Sequence, residues 1–220
     1  MAVLDRYRPF VLGDSLSRTP SVSAKQYDKA YFDKWYRHPQ HRVKSPVELA
    51  RQVAFVLSTA EFVLGRPVRS VLDVGCGEGQ WRDALRAHRP RLHYAGVDPS
   101  AYAVERYGRV RNIRLGGIES LDALPLRAQY DLVVCCGMLN YLTPAQLTRG
   151  VAQVARRAGG VAYLELFTRE DAFEGDTDWP APKPATWYRG VMRKAGLWPF
   201  GMQCYVTREA ASHVSALEGL

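Results

Sequence analysis

Short apolar runs alternate with longer segments of helical periodicity along most of this chain of 220 residues. The runs are rich in β-branched residues and too short for buried helices, so they predict strands. These strands are expected at 71–74, 93–98, 112–115, 130–136, 159–167, 197–200 and 202–206. Segments long enough for a helix separate most of the early strands, as in parallel sheets joined by crossover helices. The pattern therefore predicts an α/β fold with a mostly parallel sheet.

Two helices are predicted before the first strand. Tyr27, Tyr31 and Trp35 recur at intervals of four residues, which places them on one face of a helix. The sequence Ser-Pro-Val-Glu at 45–48 has the pattern of a capping box and begins a second helix that runs to about residue 64. The aromatic stripe has two interpretations that the sequence leaves open. It packs in a core, or its polar tyrosine tips line a partly wet pocket.

The run Val-Leu-Asp-Val-Gly-Cys-Gly-Glu-Gly at 71–79 carries the most chemical information. A buried strand turns there into a helix predicted at 80–87, and the glycines keep the turn free of side chains. The first amides of such a helix point at whatever lies against the turn. A dinucleotide-binding turn would place its third glycine at residue 80, where this chain has Gln80. The carboxylate of Asp73 also suits an ammonium group better than a pyrophosphate.

A second acidic residue ends the next predicted strand. Asp98 lies 25 residues beyond Asp73, which leaves room for one helix, one loop and one strand. Because the carboxyl ends of parallel strands meet at one edge of the sheet, both carboxylates are expected to face the same crevice. Asp98 there suits a pair of ribose hydroxyls. The alternative is an ordinary helix cap, since Pro99 and Ser100 follow it.

Together these two motifs resemble those of the class I S-adenosylmethionine (SAM)-dependent methyltransferases, and of their small-molecule type in particular. The resemblance covers roughly residues 69–206. It implies a single Rossmann-like domain, with a mostly parallel seven-stranded sheet flanked by helices and an N-terminal helical lid. Residues 1–66 would form the lid, and residues 67–220 would form the SAM-binding core.

The resemblance also implies roles for individual residues. The cofactor would contact Tyr27, Asp73, Gly75, Cys76, Gly77, Gly79, Asp98, Pro99, Ser100, Ile118, Glu119, Cys136 and Met138. The acceptor would contact Trp35, Asn140, Tyr141 and Phe167, and the candidate catalytic groups are Glu165 and Tyr31. The third strand departs from the family pattern, because Gly117 and Ile118 stand where a Gly-Asp pair often holds the adenine amine. Ile118 is then expected to pack on adenine, with Glu119 or a backbone carbonyl taking the amine.

An acidic stretch follows the fifth strand in this otherwise basic chain. It contains Glu165, Glu170, Asp171, Glu174, Asp176 and Asp178, with Trp179 directly after them. Loops that leave the carboxyl edge of such a sheet set specificity, so this one suits an amine-bearing or cationic acceptor. A solvated acidic loop without such a role is the alternative. No metal is expected, because Glu165 is one carboxylate where the metal-dependent O-methyltransferases have several.

Composition narrows the class of protein further. The formal net charge is +8, but the basic residues are scattered, which makes a nucleic acid partner unlikely without excluding it. Four cysteines without disulfide or zinc spacing favour a reducing cytoplasm, and no apolar segment has the length of a membrane span. The oligomeric state stays open.

The expected reaction is in-line transfer of a methyl group from SAM to a nitrogen, oxygen or sulfur atom of a small molecule, leaving S-adenosylhomocysteine (SAH). An RNA or protein methyltransferase is a second possibility. Two rivals come from other classes: an NAD(P)-dependent oxidoreductase with an altered glycine turn, and a non-catalytic cofactor-binding regulatory protein. The identity of the acceptor is not predicted.

Overall fold

The computed structural model describes residues 25–172 and 178–218. Residues 1–24 of the predicted lid lie outside this part of the chain, as do Glu174 and Asp176 of the acidic stretch. Among the helices described, none combines the length and the apolar character needed to cross a bilayer.

Seven strands form one sheet, as the resemblance implies. In chain order they are β1 (Ser70–Val74), β2 (His93–Asp98), β3 (Ile113–Leu115), β4 (Tyr130–Cys135), β5 (Ala158–Leu164), β6 (Leu197–Gly201) and β7 (Cys204–Thr207). Their spatial order is β3-β2-β1-β4-β5-β7-β6. The first five strands are parallel, and β7 lies antiparallel between β5 and β6. The strand order reverses between β1 and β4, and the carboxyl edge at that point is where such folds bind ligands.

The helices begin and end where local sequence signals place them. They are α1 (Lys29–Phe32), α2 (Pro46–Leu64), α3 (Gln80–His88), α4 (Ala101–Arg111), α5 (Pro144–Arg157) and α6 (Ala185–Lys194). A π-helix at Asp33–Arg37 continues α1, and 3-10 turns occupy Ile118–Ala123 and Leu139–Tyr141. The predicted capping box of α2 is present, with the Ser45 hydroxyl accepting from the Glu48 amide at 3.2 Å.

Side chains of the strands alternate between two cores on the faces of the sheet. Leu72 and Val133 face α5 and α6, whereas Val71 and Leu132 face α2 and α3. All four are fully buried. This burial on both faces explains the continuous apolar runs in the sequence, because a central parallel strand has no solvent side. It also leaves the carboxyl edge as the place where the polar residues of β1 and β2 collect.

The prediction of one regular helix through Tyr27, Tyr31 and Trp35 is wrong in two respects. Tyr27 precedes the N-cap of α1, which is Asp28, so it is not helical. The π-helix then adds a residue to the turn and rotates Trp35 off the line of the other two rings. Trp35 lies against His41, with ring centroids 6.4 Å apart, and under the Lys34 ammonium.

Candidate functional site

The turn between β1 and α3 wraps around the end of β2. Gly75, Gly77 and Gly79 all have positive φ, at +72°, +54° and +78°. Such values favour glycine, since a Cβ atom there is strained. The amides of Gly75 and Cys76 both donate to the Val97 carbonyl, at 2.8 and 3.2 Å. The turn is therefore fixed to the neighbouring strand, and it carries no long side chain until Glu78.

Asp98 connects this turn to the start of α4. Its Oδ2 accepts from the Gly77 amide at 2.6 Å, and its Oδ1 accepts from the Ser100 amide at 2.8 Å. The Ser100 hydroxyl caps α4 by accepting from the Ala103 amide, and it donates to the Tyr27 carbonyl at 2.5 Å. Burial raises the pKa of Asp98, although both amides oppose that shift. Asp98 thus joins the glycine turn to the start of α4, while its predicted contact with ribose stays a prediction. Pro99 between these residues is exposed.

Asp73 is the most deeply buried carboxylate of the site, with 1% of its surface exposed. Its Oδ2 accepts from the Tyr94 hydroxyl at 2.8 Å. Burial raises its pKa to about 7, with a further increase from the charge of Asp98, while the hydrogen bond from Tyr94 lowers it. A cation placed beside this carboxylate would favour its charged form. The site is therefore matched to a ligand that carries an ammonium group.

The N-terminal segment lies directly on the glycine turn. Phe32 is 2% exposed, and a Cβ atom on Gly77 would contact both its ring and the Tyr36 hydroxyl. The guanidinium of Arg37 pairs with the buried carboxylate of Glu78 in the same turn. Burial, and then the charges of nearby acids, raise the pKa of Tyr36 well above its ordinary value, so its hydroxyl stays protonated. Phe32 and Tyr36 thus cover the turn, and neither is among the residues predicted to contact the cofactor.

The opposite wall of the turn comes from the end of β4. A Cβ atom on Gly75 would lie 2.5 Å from Cγ of Met138, so this side chain packs against the turn. Cys76 packs against Gly96 of β2 in the same way, at 2.7 Å from the position of a Cβ atom. Cys136 is half-buried near Glu165, and burial raises its pKa well above the usual thiol range. Both thiols are neutral and line the site as small apolar groups.

Glu165 follows β5 and is held by two side chains of the N-terminal region. Its carboxylate oxygens both accept from the Lys44 ammonium at 2.7 Å, and Oε1 also accepts from Gln52 at 2.9 Å. Gln52 donates to the Tyr163 hydroxyl as well, at 2.8 Å. The side chains of Lys44 and Glu165 are only 25% and 15% exposed. Glu165 is therefore an ion-paired group at the carboxyl edge, not a free carboxylate.

The residues predicted to contact the acceptor come together after β4 and β5, with the exception of Trp35. Asn140 donates to the Phe167 carbonyl at 2.8 Å and accepts from its amide at 2.9 Å. Tyr141 meets Tyr27 edge-on at a centroid distance of 6.3 Å. These contacts join the N-terminal segment to the loops at the carboxyl edge. The sequence marks Trp179 only as part of the acidic stretch, but its ring packs on both Tyr141 and Phe167.

The two residues proposed for adenine are engaged elsewhere. Ile118 is 1% exposed, and a Cβ atom on Gly150 of α5 would lie 2.6 Å from its Cγ2. Its side chain therefore belongs to the core, because the 3-10 turn after β3 directs it toward α5. The Glu119 carboxylate accepts from Arg149 at 2.8 Å and would have to leave this partner to bind an amine. Within residues 25–172 and 178–218, no group of three or more His, Cys, Asp or Glu side chains is placed to hold a metal ion.

A family model described as a methyltransferase domain matches residues 36–207. The chain belongs to this methyltransferase family. The match spans all seven strands and the glycine turn, and it confirms the family inferred from the two acidic strand ends. It gives no support to the oxidoreductase alternative. Comparison with curated protein sequences gives no match.

Solved structures of methyltransferases share the fold. The sugar N-methyltransferase KedS8 from Streptoalloteichus sp ATCC 53650 is 19% identical with a TM-score of 0.61, and the alignment covers 90% of this chain and 99% of that chain. CalS10 from Micromonospora echinaspora, an amino pentose methyltransferase solved with bound SAM, is 18% identical with a TM-score of 0.57 over 86% of this chain and 98% of its own. The SAM-bound magnesium protoporphyrin IX methyltransferase ChlM from Synechocystis PCC 6803 is 17% identical with a TM-score of 0.54, covering 82% and 93%. The fold of this methyltransferase is thus the one predicted.

Four residues of the site escaped sequence reasoning. Phe32 and Tyr36 were missed because the interval of four residues selects their neighbours, and only the extra residue of the π-helix brings them onto the turn. Lys44 and Gln52 carried no motif, and their approach to Glu165 depends on how α2 crosses the sheet. A lysine directly before a capping box is too common a pattern to have identified the pair.

Proposed function

We propose that this methyltransferase uses SAM to methylate a nucleophilic atom of a small molecule. The observation that carries the proposal is the pair of buried carboxylates, Asp73 and Asp98, on either side of a glycine turn. Asp98 fixes the turn through the Gly77 amide. Membership of the methyltransferase family supports the reaction type.

The groups of the site fit the chemistry of SAM. Its amino-acid end has an ammonium, which matches the buried carboxylate of Asp73, and a carboxylate, which suits the positive N-terminal end of α3 after the glycine turn. Its ribose has two hydroxyls, and Asp98 can accept from them because each carboxylate oxygen has two lone-pair sites. When bound, SAM supplies a methyl group activated by its sulfonium.

The chain itself has three tasks around that methyl group. Phe32, Tyr36 and Met138 enclose the glycine turn and exclude water from it. Cys136 presents a neutral thiol, which does not compete as a nucleophile. Tyr31 and Glu165 are our candidates for holding or accepting a proton of the acceptor, and the ion pair with Lys44 favours a binding role for Glu165.

A small molecule is the best-supported class of acceptor. The similar structures include enzymes whose names specify sugars and a porphyrin as substrates. In this chain, aromatic rings at the carboxyl edge lie where such a molecule would approach. The division into a lid at 1–66 and a core at 67–220, like a cytoplasmic location, remains our prediction.

Calorimetric titration tests the proposal. We expect wild-type protein to bind SAM and SAH, and not NAD(H), with micromolar affinity. Gly77→Ala should weaken SAH binding at least about tenfold, because the new Cβ atom strains a positive φ and meets Tyr36. Gly190→Ala is the matched control, since a Cβ atom at that helical position meets nothing within 4 Å. Absence of SAM and SAH binding by folded wild-type protein would overturn the proposal.

A further inference from the structure

A lysine ammonium lies among aromatic rings at the carboxyl edge of the sheet. Nζ of Lys25 is 4.2 Å from the centroid of the Tyr141 ring and 5.6 Å from that of Tyr31. Only 18% of the Lys25 side chain is exposed, although lysines are rarely buried to this extent. The rings of tyrosine have electron-rich faces that attract a cation within about 6 Å. The amino group of Lys25 therefore lies in an aromatic environment.

Two further rings pack against Tyr31 and Tyr141, and we call the four together the aromatic box: Tyr27, Tyr31, Tyr141 and Trp179. Tyr27 meets Tyr31 and Tyr141 edge-on, at centroid distances of 5.1 and 6.3 Å. Tyr141 meets Trp179 edge-on at 5.3 Å. Phe167 stacks on Trp179 at 6.3 Å and supports it. Edge-on contacts turn the ring faces in different directions, so several faces can border one central group.

A carboxylate oxygen and a carbonyl oxygen of Asp178 also lie beside the ammonium. Oδ2 of Asp178 is 3.9 Å from Nζ of Lys25, and the Asp178 carbonyl accepts a hydrogen bond from it at 3.4 Å. The Asp178 side chain is 83% exposed, so it forms the rim of the box on the solvent side. Rings on one side and a carboxylate on the other are a combination suited to an alkylammonium group.

The aromatic box is next to the glycine turn. Tyr31 contacts Phe32 edge-on at 5.5 Å, and Phe32 lies on Gly77. Tyr141 ends the 3-10 turn that follows β4, and Phe167 follows β5. The box is thus built by the N-terminal segment and by the two chain segments that leave the carboxyl edge beside the switch in strand order. A molecule bound in the aromatic box would therefore lie beside the glycine turn, at the carboxyl edge of the sheet.

We propose that the aromatic box is the acceptor subsite of this methyltransferase, that it takes an amine-bearing acceptor as its ammonium form, and that Lys25 occupies it when no acceptor is bound. The identification of the bound molecule as a methyl acceptor rests on the proposed function. The binding of a cation by the aromatic box does not depend on it. A neutral alcohol would gain no cation–π attraction there, and a carboxylate would meet Asp178 and the electron-rich ring faces. The charge of the bound group, more than its shape, is what the box selects.

The test uses the full chain and two probes of the same shape. Choline is the cationic probe, and 3,3-dimethylbutan-1-ol is its neutral isostere, in which carbon replaces the quaternary nitrogen. Lys25→Met removes the resident ammonium and keeps an unbranched side chain. We expect Lys25→Met to bind choline about tenfold more tightly than wild type does, by ligand-observed NMR titration, with no comparable gain for the neutral probe.

Variants of Tyr141 in the Lys25→Met background test whether its aromatic face is responsible for the binding of choline. Tyr141→Phe keeps the aromatic face and should keep the affinity for choline. Tyr141→Leu removes the face and should lower that affinity about tenfold. Phe62→Leu is the matched aromatic control, because this ring is 86% exposed on α2 and should have no effect.

The outcomes separate this proposal from the proposed function. The box is overturned as a cation site if Lys25→Met binds choline no better than wild type does, or binds both probes equally. If SAH still binds to the same preparations, the methyltransferase assignment stands without the box. If choline behaves as expected but no variant binds SAM or SAH, the cation site stands and the assignment fails. In turnover the bound ammonium must first lose a proton, to solvent or to the Asp178 carboxylate at the rim, which gives its nitrogen the lone pair that attacks the methyl group. With both sites confirmed, amines should then yield SAH and the corresponding alcohols should not.

Discussion

Replacing Asp73 by asparagine should change how the stability of the protein depends on pH. Burial raises the pKa of Asp73 from 3.8 to about 7, so the native state keeps this proton at pH values where the unfolded chain has lost it. The free energy of unfolding therefore falls as the pH rises from about 4 to about 7, and this contribution is constant above pH 7. The asparagine side chain does not titrate, so the Asp73→Asn variant lacks this part of the pH dependence.

The magnitude follows from the size of the pKa shift. Each pH unit between the unfolded and the native pKa costs about 1.4 kcal/mol. Between pH 5 and pH 8 the wild type should therefore lose about 3 kcal/mol of unfolding free energy relative to Asp73→Asn. The measurement is urea unfolding followed by tryptophan fluorescence at pH 5, 6, 7 and 8. Other titrating groups contribute to both proteins and cancel in the difference.

Asp131→Asn is the matched control at the other edge of the sheet. Asp131 accepts from Arg66 and from the backbone amides of Arg69 and Ser70, and these bonds bring its pKa below 3.8 despite partial burial. Asp131 is ionised in both the native and the unfolded state between pH 5 and pH 8. The free energy of unfolding of Asp131→Asn should therefore depend on pH in parallel with that of wild type. Parallel curves for Asp73→Asn as well would refute the argument from burial. Saturating SAH should stabilise wild type more at pH 8 than at pH 5, since the ligand ammonium favours the charged carboxylate.

Three further predictions concern packing, capping and the acceptor side. Gly150→Ala should lower the free energy of unfolding by about 2 kcal/mol in urea, because its Cβ atom would lie 2.6 Å from Ile118 Cγ2; a loss below about 0.5 kcal/mol would mean that Ile118 moves freely. Ser45→Ala should cost about 1 kcal/mol in the same assay through loss of the capping box of α2, and an unchanged stability would show that these capping bonds do not stabilise the helix. Glu165→Gln should raise KM for the acceptor and leave the pH profile of kcat unaltered; loss of the acidic limb in that profile would instead identify Glu165 as the general base.

Local sequence signals sufficed for most of the fold, because their causes are local. The strand β1, which contains Asp73, is buried on both faces, so it reads as a nearly continuous apolar run, and the glycines after it are required by positive φ. Ser45 begins α2 through its own capping bonds. These features depend on a few adjacent residues, which is why the turn and the two acidic strand ends could be predicted.

Features that depend on tertiary packing could not be predicted in this way. The π-helix changes which face of the N-terminal segment meets the glycine turn and brings Tyr36 onto it, a contact that the interval of four residues does not predict. The direction of Ile118 is set by a close approach of α5 at Gly150, which lies 32 residues later in the chain. Lys25 reaches Asp178 across 153 residues. The periodicity of a sequence predicts contacts between neighbouring residues only, so it does not predict contacts between residues this far apart in the chain.

The paired hydrogen bonds between Asn140 and the backbone of Phe167 have a consequence for how acceptor range can change. They join the segment after β4 to the segment after β5, and Asn140 is only 6% exposed. Replacing the segment after β4 by one without an asparagine at this position would remove the partner of the Phe167 amide and carbonyl, at a cost of about 1–3 kcal/mol for each group left unpaired. We therefore expect the two segments to tolerate replacement only when both are replaced together. Exchange of both together between related enzymes should transfer acceptor preference, whereas exchange of one should yield unstable hybrids.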